Sequence, residues 1–228
     1  MKMKFGAIVV DGRGKIGGHV ASKNRGGAYL RTKVTPANAQ TTYQQGVRNT
    51  FTTYSQAWRG LSDAQRAAWN AAVASFAITN IFGDLRNPSG INLYQKLNNN
   101  LVSTGEAAIS VPPLPSAVGE CNITAVAAAA GAATMTITMS GAVPADTAVK
   151  VFAAAPQSAG KSVITSELRQ IAVLAAAEAT PYNLAAEYIA RFGSVGLAGQ
   201  KIFVKLLPIN TTTGQAGASS MATGIVAA

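Results

Sequence analysis

Thr134-Met-Thr-Ile-Thr-Met-Ser140 alternates polar and large apolar side chains. Successive side chains of a strand point to opposite faces, so this stretch reads as a strand with one buried face. Working outward, residues 148–154, 169–174, 201–209 and 219–226 carry similar short runs and are expected to be strands. The last two are joined by Asn210-Thr-Thr-Thr-Gly-Gln-Ala-Gly217, a hairpin loop. Residues 181–192 predict a short helix, with Pro181 in its first turn and Gly193 just past its end. Short strands separated by regular turns predict a β-sandwich over residues 119–228.

Upstream lies a different pattern. Residues 104–118 include Gly105 and the run Val111-Pro-Pro-Leu-Pro115, which reads as a stiff linker. Residues 37–103 read as three helices. Tyr43, Val47, Phe51, Tyr54 and Trp58 recur at spacings of three and four, the signature of one helical face. Arg59-Gly60-Leu61 interrupts it, and Ser62-Asp-Ala-Gln65 forms a capping box for a second helix striped by Trp69, Val73 and Phe76. After a loop at Phe82-Gly83 and Asn87-Pro-Ser-Gly90, Leu93, Tyr94, Leu97 and Leu101 mark a third helix, with Asn98–Asn100 on its polar side. The expected helical core is Phe51, Trp58, Trp69 and Phe76. Residues 1–36 read as strands and tight turns: a strand at 4–10, turns at Asp11-Gly12 and around Gly14, Gly17 and Gly18, then strands 19–23 and 28–34 joined through Asn24-Arg-Gly-Gly27. The fold class expected is α+β in two domains, a β-arm with a small helical bundle followed by the sandwich.

Charge separates these regions. The 228 residues are 48% hydrophobic and only 12% charged, with a net charge of +10. Through Pro36 the bases are Lys2, Lys4, Arg13, Lys15, Lys23, Arg25, Arg31 and Lys33, against Asp11 alone. From Val111 onward, bases and acids nearly balance. The arm has few large apolar side chains and needs a surface to lie on. Arg13, Lys15, Lys23, Arg25, Arg31 and Lys33 are therefore its candidate partner-binding residues, facing an acidic protein or nucleic-acid phosphate. So low a charged fraction suits a chain that lives in an assembly, with homo-oligomers expected. Cys121 is the only cysteine, which rules out an intrachain disulfide and a Cys-based metal site. The apolar stretch at 5–10 is too short for a signal-peptide core, and no run is long enough to span a bilayer. Cytoplasmic synthesis, with retention there or in a particle built there, is the expectation.

Two motifs invite enzymatic readings. Gly12-Arg-Gly-Lys-Ile-Gly17 matches a dinucleotide fingerprint, but Gly18 and Asn24–Gly27 interrupt any helix after it, and no acid appears until Asp63. Ala155-Pro-Gln-Ser-Ala-Gly-Lys-Ser162 resembles a relaxed phosphate loop, yet Pro156 removes a donor and no Asp follows Asp146. His19 is the only histidine. No catalytic, cofactor-binding or metal-binding residue is expected.

Three resemblances add to this. The closing pair of strands at 201–226 resembles the last hairpin of fibronectin type III and other immunoglobulin-like modules. Residues 51–69, with Phe51, Trp58, Leu61-Ser62, Arg66 and Trp69, resemble the first two helices of an HMG box. That resemblance implies DNA binding by the arm and helices, with Trp58 and Trp69 packed across the turn. Finally, Gly12 to Arg31, the Trp58–Trp69 helical turn, the loop Phe82-Gly-Asp-Leu-Arg-Asn-Pro-Ser-Gly90 and the Ala/Thr/Gly-rich C-terminal region are together similar to virion structural proteins of tailed bacteriophages and prophages. This resemblance implies a capsid decoration, cement or head–tail component, localised to the virion and assembled in the host cytoplasm, whose arm contacts neighbouring subunits.

Overall fold

A computed structural model describes residues 2–3, 12–35, 37–131, 134–164 and 166–228. The strand expected at 4–10 and the turn residue Asp11 lie outside the described residues. The fold is α+β, with four α-helices among the described residues. The chain divides into two compact units, Met1–Asn49 with Ala77–Asn87, and Thr50–Phe76 with Pro88–Ala228.

The first unit holds an antiparallel sheet of β1 (Lys2–Met3), β2 (Gly14–Ile16), β3 (His19–Asn24) and β4 (Gly27–Thr32), in the order β1-β4-β3-β2. The hairpin expected around Asn24–Gly27 is present, with Asn24 paired to Gly27. The Asn24 side chain accepts from Gly26 N–H at 2.8 Å and ties the turn to itself. A second small hairpin pairs β5 (Ile78–Thr79) with β6 (Leu85–Arg86). Its loop is closed by Asn80 Oδ1, which accepts from the N–H groups of Phe82 and Asp84.

In the second unit, α1 (Thr42–Gly60, its first eight residues assigned to the first unit) meets α2 (Asp63–Ala72), a 3-10 turn (Val73–Phe76) and α3 (Gly90–Ser103). The capping box forms: Gln65 N–H donates to Ser62 Oγ at 3.2 Å, and Ser62 N–H donates to Gln65 Oε1 at 2.9 Å. Tyr94 is the hub of the helical core. The rings of Tyr54, Trp58 and Trp69 pack on it at 6.2, 5.5 and 5.3 Å. The two tryptophans thus each meet Tyr94, on a third helix, where the HMG resemblance implied packing across the turn.

The rest of this unit is one curled mixed sheet of seven strands, β10 (Arg169–Leu174), β9 (Thr147–Ala153), β12 (Lys201–Asn210), β13 (Ser220–Ala227), β7 (Ile123–Ala129), β8 (Met135–Met139) and β11 (Tyr182–Asn183) in spatial order. Its two halves join only where β13 runs parallel to β7, through Val226–Ala128 and Ala227–Ala129. Curling brings both halves onto one core, which includes Met135, Ile137, Val149, Val151, Leu174, Ile202, Val204 and Leu206. Helix α4 (Ala185–Phe192) adds Tyr188 to that core and ends at Gly193 in the left-handed region. Close approach dictates Gly224: a Cβ there would strike the Val126 carbonyl of β7.

β12 is buried along most of its length on both faces. Ile202, Val204 and Leu206 enter the main core, while Phe203 packs behind it with Ala154 and Ile164. At the other end α3 covers the outer face. Asn100 Nδ2 donates to the Gly214 carbonyl at 2.9 Å, and Lys150 Nζ of β9 donates to Asn100 Oδ1 at 3.4 Å. Burial lowers the Lys150 pKa below its ordinary value.

Several expectations are corrected. The boundary at 104–118 does not separate helices from sheet, because Lys150 of β9 donates to Asn100 of α3 and one compact unit contains both. The stiff segment is tied to the helices at Ile109 and Ser110. Asn98 Oδ1 accepts from Ile109 N–H, Asn98 Nδ2 donates to the Ile109 carbonyl, and Trp69 Nε1 donates to the Ser110 carbonyl at 2.9 Å. Asn98 is accordingly fully buried, not on a polar side. Phe51 is 53% exposed and is not a core residue: α3 meets only the end of α1 that carries Tyr54 and Trp58. The helix expected from 181 begins at Ala185, because Tyr182–Asn183 pairs with β8 as β11.

Candidate interaction surface

Strand register sorts the arm's bases. Residues paired across neighbouring strands share a face, and alternate residues change face. Lys15 pairs with Val20, and Val20 with Arg31, so Lys15 and Arg31 flank one row. Two residues along, Lys2 pairs with Tyr29 and Tyr29 with Ser22, a second row on the same face. Ala21, Lys23, Ala28 and Leu30 take the opposite face, where Ala21 and Ala28 are buried. Of the six candidate residues, the structure therefore places Lys15 and Arg31 together and Lys23 behind them. Arg25 sits in the β3–β4 turn, while Arg13 and Lys33 flank the sheet outside its strands. All six are exposed.

Arg86 was not anticipated as a member of this surface. It lies far along the chain on β6, yet its guanidinium occupies the space where a Cβ on Gly26 would stand. With Lys2, Asn24, Gly27 and Tyr29 these two residues line a notch of about 120 Å³ at the turn end of the face carrying Lys15 and Arg31. The side chain is half-buried. The sequence signal that could have found it is the small-residue turn Gly26-Gly27, whose first glycine has an ordinary φ and so needs a reason other than backbone freedom.

Asp84 is the only acid among the described residues of this unit, and its Oδ2 accepts from Asn80 Nδ2 at 3.0 Å. The described ion pairs, Arg66–Asp63 at 2.6 Å and Lys161–Glu167 at 2.7 Å, belong to the second unit.

The helical-core candidates resolve as packing. Trp69 is fully buried, Trp58 and Phe76 are half-buried against the cluster, and Phe51 is outside it. The two enzyme-like motifs take other forms. Within the glycine fingerprint, Gly14–Ile16 is a strand that turns at Gly17–Gly18 into another strand, and the next helix starts at Thr42. In the phosphate-loop-like stretch, Lys161 Nζ is held by both Glu167 oxygens and by Gln157 Oε1, and Gln157 is bridged to Lys201 of β12. That ammonium is committed to a carboxylate, and among the described residues the next element is the strand β10, not a helix that would present N–H groups to an anion. His19 is exposed on β3, opposite Ile16 and Thr32. Among the described residues no helix is long and apolar enough to cross a membrane.

No protein-family model, curated protein or solved structure matches this chain.

Proposed function

We propose that the chain is a non-enzymatic structural protein of a virion, a capsid decoration, cement or head–tail component anchored to neighbouring subunits by its basic N-terminal arm. On this reading it acts by binding alone, occurs in many copies per particle, and is assembled in the host cytoplasm. The seven-stranded curled sheet serves as an immunoglobulin-like module, a rigid body that the arm holds in place.

The observation that carries the reading is how little apolar burial the described residues of the arm show. Only Ala21 and Ala28 among them are buried, with Val20, Tyr29 and Leu30 half-buried, and burial of that size contributes little against the ordering of a sheet. A partner that covers the arm supplies the missing burial and meets its excess of bases. Deletion of residues 1–36 tests it. Particles assembled with the truncated chain should lose it from their protein complement, whereas full occupancy contradicts the proposal.

A further inference from the structure

The sheet face bearing Lys15 and Arg31 is organised for a repeating anion. Those two bases stand two strands apart, about 10 Å, Lys2 lies a further row along, at about 7 Å, and Arg86 lies beyond it at the turn. The face offers cations on a flat backbone, with the half-buried Tyr29 ring among them. A positive face complements an acidic protein as well as a polyanion, but cations set in regular rows on a flat sheet suit the regular repeat of a polyanion. A polyanion needs only cations, supplied by Lys, Arg and backbone N–H groups. We propose that this face binds the phosphodiester backbone of nucleic acid without reading its sequence, and that Arg86, seated over Gly26, makes one of its phosphate contacts. This stands apart from the assembly reading, since it concerns one face of the arm and holds whether or not the chain belongs to a particle.

The Arg86 seat gives the proposal a second handle. A Gly26→Ala side chain would displace the guanidinium, the flexible far end of Arg86, whose atoms are the three nearest to it. It should therefore mimic Arg86→Ala.

The experiment measures binding of the full chain to a mixed-sequence DNA duplex by fluorescence anisotropy across a salt series. Four contacts give a log–log slope of about −3.6, so affinity should fall roughly 100-fold between about 50 and 200 mM salt. Lys15→Ala/Arg31→Ala should flatten the slope by about 0.9 for each charge removed. Arg86→Ala and Gly26→Ala should each flatten it by about 0.9, and their double variant by no more than either. Lys23→Ala, on the opposite face of the same sheet, and Lys96→Ala, on exposed α3 surface, should leave it unchanged. Circular dichroism confirms that each variant is folded. Absence of binding at low salt overturns the proposal, as does equal flattening by Lys23→Ala, which would reduce the effect to net charge. Competition by polyglutamate as strong as by unlabelled duplex also overturns it, in favour of an acidic protein. None of these outcomes bears on incorporation into particles, which the arm deletion reads separately.

Discussion

The β3–β4 hairpin and the β9–β12 pair are both antiparallel ladders of six or seven paired residues, built in opposite ways. In β9 and β12 nearly every residue is buried, because the curled sheet covers one face while α3 and the Ala154–Ile164–Phe203 cluster cover the other. In β3 and β4 the buried side chains are two alanines, and the rest are polar, basic or half-exposed. A backbone ladder is therefore a poor guide to stability. Net hydrogen-bond stabilisation is small, and apolar burial decides which ladder holds without help. The described strands with little burial are also where the chain concentrates charge, which a surface tolerates and a core does not.

That contrast can be broken by substitution. Trp69→Ala should have the largest effect, about 3–5 kcal/mol in urea unfolding, since the ring is fully buried, abuts Tyr94 and donates to Ser110. A loss below about 1 kcal/mol would mean the helical core is not what holds this unit. Next, Asn98→Ala should cost about 1–3 kcal/mol by stranding the N–H and carbonyl of Ile109. It should also raise proteolytic cleavage within residues 104–118, which a free linker would show already. Alkaline unfolding sharpens the picture of the sheet. Burial first, then the hydrogen bond to Glu187, pushes the Tyr182 pKa up to about 12 from 10.0. The folded state holds that proton more tightly, so its contribution is complete below pH 10 and is lost as pH rises towards about 12. Tyr182→Phe should make the decline in stability over that window shallower, read by urea titrations at stepped pH. Smallest of all, Phe51→Ser and Lys15→Ala/Arg31→Ala should each shift unfolding by no more than about 0.5 kcal/mol, as their side chains are exposed.

How much was legible follows from where the physics is local. The capping box at Ser62–Gln65, the Asn24–Gly27 turn and the alternation of Met135, Ile137 and Met139 depend on neighbours in sequence, and each could be read there. β7 was missed because Ile123-Thr-Ala-Val-Ala-Ala-Ala129 is mostly alanine, a poor strand former that gives no clear alternation. Phe51 looked like Tyr54 and Trp58 because periodicity reports a face and not whether a partner covers all of it. Asn98 looked solvent-facing because three asparagines in a row suggest water, whereas its partner is the backbone at Ile109, eleven residues on. At the candidate surface the bases were plain but their faces were not, since side-chain direction depends on register. For Arg86 the small-residue turn Gly26-Gly27 is a hint that something sits close, but not of which residue, because a hairpin between α2 and α3 in the chain places it.

Hydrogen exchange on the isolated full-length chain, compared with the chain in its assembled state, measures the contrast directly. Free in solution, the amides of β3 and β4 should exchange far faster than those of β9 and β12, and assembly should slow the first pair while leaving the second unchanged. Arm amides as slow as those of β9 and β12 in the free chain would show that the arm needs no partner, and would contradict the account.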